Sequence, residues 1–455
     1  MPALTRCILV VILVVLVAGC SLVSPVPSST AKAGLTAEQD HARTLAELGI
    51  SAVRPGVNGD PSAAVNPVNY DEALANAQMG SLPPLLQPPT ANVIASPAEW
   101  RAERQRLRSI FAQEFYGEVP ERLPEVQWQK SFPTFSLVGA TPVRHQRISG
   151  VISADDSRSS VAIDMTLTTP AGVSGPVPVV LAFQWDLDIV EHLASRMSQD
   201  KRREFYQSIT DWQKQVLQAG WGYAEYVPTS VQADTGAGLT TGIIGLANSG
   251  APRSTRDWGA LRAWGWGASR ALDYLQTEKR VKGEQVVVFG HSRYGKAALV
   301  ALAFDDRFAG GYISSSGEAG ASLWRRNYGE QIGNVAAAGE YHWMAGNFLK
   351  YAGPLTVNDL PLDSHQLLAL AAPRPIFIGA GYTGDEWVDP KGSYLALRAA
   401  SEAYHLLGGA SLKDTQYPSV GTLLQRGNMA FRQHDQGHTA APNWGYALEF
   451  FNARF

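Results

Sequence analysis

The chain has 455 residues, 38 Lys and Arg against 41 Asp and Glu, a formal charge of −3, 45% hydrophobic residues and only 17% charged ones. Disorder needs low hydrophobicity with high net charge, and polyanion binding needs a cationic excess, so the composition excludes a disordered chain and a polybasic nucleic-acid binder. A single α/β domain with insertions reaches this length and buries a large core.

In chain order, the first feature is a sorting signal. Arg6, the apolar run Ile8 to Val17 and the small residues Ala18 and Gly19 before Cys20 form a basic start, a short apolar stretch and a cleavage site. The stretch is too short for a membrane span. It resembles a bacterial lipoprotein signal. Residues 1–19 are expected to be removed, and Cys20 to carry the lipid that anchors an exported protein to a periplasmic or cell-surface membrane; an uncleaved anchor is the alternative. Residues 20–40 then read as the lipidated Cys and a flexible tether, rich in Ser, Pro and Val from Ser21 to Lys32. Cys7 and Cys20 are the only cysteines, so the remainder can form no internal disulfide.

Residues 33 to about 95 carry Pro/Gly/Asn clusters (Arg54-Pro55-Gly56-Val57-Asn58-Gly59, Leu82-Pro83-Pro84) and no sustained period, which predicts an extended arm; residues 41–135 are assigned as an extension wrapping the core. Pro97 opens an amphipathic helix over Ala98 to Phe115, with Trp100, Leu107, Ile110, Phe111 and Phe115 at three- and four-residue steps. Strands and helices alternate from there. Strands are predicted at Val161–Thr168, Val177–Phe183, Gly222–Val227, Gln285–Phe289, Gly311–Ser315 and Pro375–Gly379, and helices at Asp257–Gln276, Lys296–Phe304 and from near Asn443. This order predicts an α/β fold over residues 136–455, a three-layer sandwich with a mostly parallel central sheet. Trp258, Trp264 and Trp266 could form a glycan platform, but at helical spacing beside Leu261 and Leu272 they read as core.

The strongest chemical signal is Val286-Val287-Val288-Phe289-Gly290-His291-Ser292-Arg293-Tyr294-Gly295-Lys296, a buried strand running into G-x-S-x-G and then a helix. The glycines allow a sharp turn that exposes the Ser292 hydroxyl at a helix N-terminus, the nucleophile elbow of α/β-hydrolases. A serine needs a base, which in this fold follows the last strand. His434 and His438 are both so placed; His438 is preferred because Gly437 frees its loop and it lies nearer the final helix. Two histidines four apart invite a zinc reading, but no H-E-x-x-H helix or third ligand accompanies them, so neither metal nor other cofactor is expected. The acid is expected after the penultimate strand, where Asp385 comes first and Glu386 and Asp389 compete; Glu318, past the strand that follows the elbow, is the alternative.

The elbow with Arg293 and Lys296, the run Asp257-Trp258-Gly259-Ala260-Leu261, Arg325-Arg326-Asn327-Tyr328-Gly329-Glu330, Asp363-Ser364-His365-Gln366-Leu367-Leu368, Ala372-Pro373-Arg374-Pro375 and Asp385-Glu386-Trp387-Val388-Asp389-Pro390 together resemble the bacterial glucuronoyl esterases, carbohydrate esterase family fifteen, from about Asn69 to the C-terminus. The resemblance implies an α/β-hydrolase that cleaves esters of 4-O-methyl-glucuronic acid on xylan with lignin alcohols. It implies Ser292 as nucleophile, His438 as base, Arg293 as oxyanion stabiliser through its N–H and guanidinium, Lys296 and Glu330 on sugar hydroxyls and Trp387 lining the pocket. A fixed cation beside the nucleophile would offset charge developing on the carbonyl oxygen. Glu330 could instead pair with Arg325 or Arg326.

Three features depart from the family pattern. Ser315 stands at one common acid position, Glu318 stands where other members often have Cys, and Gln184-Trp185-Asp186-Leu187-Asp188 lacks the expected Gly-Asn pattern near the second oxyanion donor. The alternatives are another exported carbohydrate esterase of acetyl-xylan or pectin type, and a non-catalytic glycan-binding lipoprotein. The expected partners are a glucuronoxylan or lignin-carbohydrate ester and, through the lipid, a membrane; nucleic acid is not expected, and the protein is read as a monomer.

Overall fold

The computed structural model describes residues 34–77, 79–88, 93–154, 159–185 and 187–455, with residues 35–455 in one compact unit. The signal, Cys20 and residues 21–33 of the tether lie outside the described residues. The arm, expected to lack periodic structure, begins with a helix α1 (Ala37–Glu47). The Thr36 hydroxyl accepts the Gln39 N–H and the Gln39 side chain accepts the Thr36 N–H, a reciprocal cap that stabilises the first turn. Polar ties hold the rest of the arm to the core: the Asn334 side chain accepts the Val57 N–H and donates to its carbonyl, and Asn69 donates to the Asn327 carbonyl.

Helix α2 (Pro97–Ile110) starts at Ser96, whose hydroxyl accepts the Glu99 N–H, with Pro97 in the first turn. It ends in a wide π turn over Phe111–Tyr116 that buries Phe111, Phe115 and Tyr116 together.

Eleven strands follow: β1 (Gln127–Lys130), β2 (Thr134–Val138), β3 (Thr141–Ser153), β4 (Ser160–Pro170), β5 (Val177–Phe183), β6 (Gly222–Tyr226), β7 (Val281–His291), β8 (Gly310–Ser314), β9 (Ile376–Ala380), β10 (Leu423–Arg426) and β11 (Met429–Gln433). They form one sheet in the order β1-β3-β4-β6-β5-β7-β8-β9-β11-β10, with β2 on β3. The run β6-β5-β7-β8-β9-β11 is parallel, and both flanks are antiparallel. The sequence reading passed over β1–β3, β10 and β11. β1 and β2 are short and mostly exposed, and β10 is a four-residue edge strand, so they lack the apolar run that marked the others.

Helices α3 (Leu187–Ser195), α4 (Gln199–Gln218), α5 (Ala260–Thr277), α6 (Arg293–Phe304), α7 (Ser364–Ala369), α8 (Pro390–Leu406) and α9 (Trp444–Asn452) complete the layers. Successive strand residues point to opposite faces, which divides the apolar strands between two cores. Val179, Leu181, Val286 and Val288 pack with α5 and α6, while Val180, Ala182, Val287 and Phe289 pack with Trp212 of α4 and Trp444 of α9. The expected three-layer sandwich is present. Trp258, Trp264 and Trp266 are buried in it.

Candidate active site

β7 leads straight into α6 through Ser292, which has φ +58° and ψ −131°. Such a conformation costs a non-glycine residue on the order of 1–3 kcal/mol, and the surroundings enforce it. The Ser292 N–H is held by the Ser314 carbonyl at 3.0 Å, and its own carbonyl accepts from Gly295 and Lys296. A Cβ at Gly290 would lie 2.0 Å from the Tyr294 carbonyl oxygen, and one at Gly295 would lie 2.7 Å from that of Ser314. Both glycines of the motif are thus required by close backbone approach.

His438 sits on the loop after β11, and Asp385 on the loop after β9. Because these strands are parallel to β7, their loops emerge at the same C-terminal edge as Ser292. The His438 Nδ1–Asp385 Oδ1 distance is 2.6 Å. Asp385 Oδ2 accepts from the Gly381 N–H at 2.6 Å and the Ser315 hydroxyl at 2.8 Å. Burial alone would raise the Asp385 carboxyl, but these hydrogen bonds and the His438 charge outweigh it and hold the carboxyl below its ordinary range. The His291 ring lies 4.4 Å from that of His438. Burial, and then the neighbouring His438, push His291 down to about 3, so it packs as a neutral ring. Ser292, Arg293 and His438 share a cavity of about 390 Å³ whose remaining wall is largely aromatic, with Trp185, Trp212, Phe289 and Trp444.

The other sequence candidates fall elsewhere. His434 is fully buried, with Nε2 on the Thr439 carbonyl and Nδ1 accepting the Gln436 N–H, so both ring nitrogens are engaged locally. Glu318 makes no bond to His438. It is buried, its Oε1 has no partner, and burial with the Glu330 and Asp363 charges raises its carboxyl well above the usual range. Asp389 caps α8 through the Gly392 N–H and pairs with Arg326. Glu386 begins the short turn Glu386–Val388. Lys296 and Glu330, expected on sugar hydroxyls, are bonded to each other at 2.6 Å and buried; Arg325 and Arg326, the partners considered for Glu330, pair with Asp363 and Asp389 instead. The Trp387 ring lies against the arm at Gly59, where a methyl group would meet it at 3.6 Å, and its carbonyl accepts the Glu330 N–H.

Arg293 is also paired. Its Nη1 donates to Asp234 Oδ2 at 2.7 Å, and Asp234 Oδ1 accepts from Trp343 Nε1 at 2.7 Å and from His342 Nε2 at 2.9 Å. The segment Gln184–Trp185 joins the cavity wall, but the Gln184 N–H is taken by the Tyr226 carbonyl at 2.8 Å. Sequence reasoning missed Asp234, Glu340, His342 and Trp343. Asp234 carries no local signal, since its partners are remote in the chain. Glu340, His342 and Trp343 lie in the dense polar and aromatic run Gly339-Glu340-Tyr341-His342-Trp343 after an alanine stretch, a signal present in the sequence itself. Among the described residues, no group of three or more His, Cys, Asp or Glu is arranged to hold a metal ion, and no helix is long and apolar enough to cross a membrane.

Comparisons with known proteins bear on the family and the fold. A family model described as "Glucuronyl esterase, fungi" matches residues 253–408. A solved structure of a CE15 glucuronoyl esterase from Teredinibacter turnerae T7901 is 48% identical, covers 92% of this chain and 100% of its own, and superposes with a TM-score of 0.89. Carbohydrate esterase MZ0003, from an unknown prokaryotic organism, is 28% identical over 416 residues, 86% of this chain and 93% of its own length. The 4-O-methyl-glucuronoyl methylesterase 1 of Wolfiporia cocos is 37% identical over 157 residues, 33% of this chain and 38% of its own. The elbow, the bonded His438–Asp385 pair and a likeness that spans the whole of a solved relative lead to one conclusion: the chain belongs to the glucuronoyl esterases of carbohydrate esterase family 15, with their α/β-hydrolase fold.

Proposed function

We propose that the protein hydrolyses esters of D-glucuronic acid and its 4-O-methyl form, such as those joining glucuronoxylan to lignin alcohols, through an acyl-enzyme on Ser292. The observation that carries this reading is the 2.6 Å bond between Asp385 and His438, a residue that lines the cavity holding Ser292. His438 Nε2 takes the Ser292 proton as the hydroxyl attacks the ester carbonyl, then passes it to the departing alkoxide. A water follows the same path in reverse, leaving glucuronate and a free serine. Asp385 keeps the proton on Nδ1 and stabilises the imidazolium. The Arg293 N–H, in the first turn of α6, has no acceptor within its own helix, and it serves the developing oxyanion.

The sugar-acid specificity rests on the names of the relatives and on the polar groups beside the nucleophile. Arg293 pairs with Asp234 and Lys296 with Glu330, while Arg293 Nε and Glu340 Oε2 have no partner and remain for sugar hydroxyls. Methyl or benzyl glucuronate compared with an aryl acetate tests the reading: glucuronate esters are turned over with the higher kcat/KM, and Ser292→Ala abolishes that turnover. Faster hydrolysis of the acetate refutes it in favour of an acetyl-xylan type esterase. The protein is exported and held at a membrane by lipid on Cys20. Cys20→Ser should release it to the soluble fraction with unchanged specific activity, and retention on membranes would argue for an uncleaved anchor.

A further inference from the structure

The two cations beside the nucleophile are not bare charges. The Arg293 guanidinium donates to Asp234 at 2.7 Å and lies between the Trp185 and Trp343 rings, 5.3 and 5.2 Å from their centroids. Asp234 is held independently of Arg293 by the Trp343 indole and the His342 ring. His342 contributes a hydrogen bond without charge, since burial lowers its pKa and its Nδ1 has no partner, which leaves the proton on Nε2. Lys296 is closed on Glu330 in the same way. Glu340 adds a third carboxyl to this field. Burial and the Glu330 charge push it up to about 7, against the pull of Lys296 and Arg293. Near neutral pH, Asp234, Glu330 and a partly ionised Glu340 therefore face Arg293 and Lys296, and the cluster carries no net positive charge.

This matters for the proposed glucuronate esterase, on which the inference rests. The substrate is a neutral ester. Hydrolysis breaks the acyl–oxygen bond and leaves the same sugar with a carboxylate, one negative charge more. An unpaired guanidinium beside Ser292 would hold that carboxylate through charge-assisted hydrogen bonds. We infer that Asp234 is a specificity-determining residue: by pairing with Arg293 it lets the site accept the neutral ester and release the glucuronate anion. The arrangement keeps the guanidinium donors fixed for the sugar and removes the charge that would trap the product.

The test compares two ligands of one shape, D-glucuronate and the neutral D-glucuronamide, in the intact enzyme and in Asp234→Asn. Competitive inhibition of methyl glucuronate hydrolysis gives the two inhibition constants, and calorimetry measures the same binding without turnover. Wild type is expected to bind the two ligands within a few-fold of each other. In Asp234→Asn the preference for glucuronate rises by about tenfold, because a unit charge a few ångströms away in a partly screened site is worth at least that much. High salt reduces the gain. Glu340→Gln moves the preference in the same direction by less, and provides the reading if Asp234→Asn does not fold. Three results would overturn the inference: wild type binding glucuronate more than tenfold tighter than the amide, an unchanged preference in both variants, or equal weakening of both ligands, which would make Asp234 a scaffold only. Loss of the esterase reading itself shows separately, as failure of wild type to turn over glucuronate esters.

Discussion

Replacing Asp385 by Asn perturbs the proposed base through its tautomer, and the surroundings dictate how. Asp385 Oδ2 accepts from the Gly381 N–H, which can only donate, while Oδ1 faces His438 Nδ1. In Asp385→Asn the amide oxygen stays on Gly381, so the amide NH₂ is turned toward His438. A donor at that position forces the Nδ1 proton onto Nε2, where it blocks the nitrogen that must receive the Ser292 proton. The loss expected for a triad locked in the wrong tautomer is on the order of 10⁴ in kcat, about 5 kcal/mol of transition-state stabilisation. Glu318→Gln is the control. Glu318 is buried, makes no bond to His438, and already leans to its neutral form, so its amide should change kcat by a few-fold at most. Steady-state kinetics of both variants on benzyl glucuronate, with circular dichroism to establish folding, decide the matter. A larger kcat loss for Glu318→Gln than for Asp385→Asn in folded proteins would refute the reasoning.

His438→Ala should abolish turnover, whereas His434→Ala, which removes a ring bonded only to Thr439 and Gln436, should lower thermal stability and leave most of kcat; the reverse ranking in a melting and rate comparison would identify the wrong histidine. Ser315→Ala removes one of the three hydrogen bonds that Asp385 accepts, and a bond to a charged group is worth roughly 1.5–3 kcal/mol, so kcat should drop by about ten- to a hundredfold with KM nearly unchanged. Burial pushes Glu225 in β6 up to about 7 although Gln213 donates to it. The folded state then keeps a proton that the unfolded chain loses above its ordinary carboxylate pKa, so this residue makes stability fall as pH rises from about 4.5 to about 7. Denaturant midpoints across that window should show a shallower fall in Glu225→Gln than in wild type.

Local physics accounts for what could be read without tertiary structure. The apolar runs Val177–Phe183 and Val286–Phe289 are strands because they are buried on both faces, and the elbow is legible because its glycines and serine are adjacent in the chain. The capping box at Thr36 is equally local, but the helix it opens lies in a polar arm with no sustained apolar period to mark it. Strands β1 and β2 could not be read in this way, since mostly exposed side chains leave no apolar pattern.

The chemistry of the site was only partly local. Composition, the signal-like N-terminus, Ser292 and the alternation of strands and helices were determined by the sequence itself. Which carboxylate meets His438 was decided by the sheet: β8 pairs with β9 so that Ser314 stands opposite Gly379, and the next residue, Ser315, then reaches Asp385 from the adjoining strand end. The same holds for charge. Sequence showed Arg293 and Lys296 as two cations near a nucleophile. Folding brought Asp234 and Glu330 onto them from remote segments and cancelled that charge. Such pairs leave no trace in composition or period, because the contact is made by chain ends of different strands and loops meeting at one edge of the sheet, and only the assembled topology specifies which of them meet.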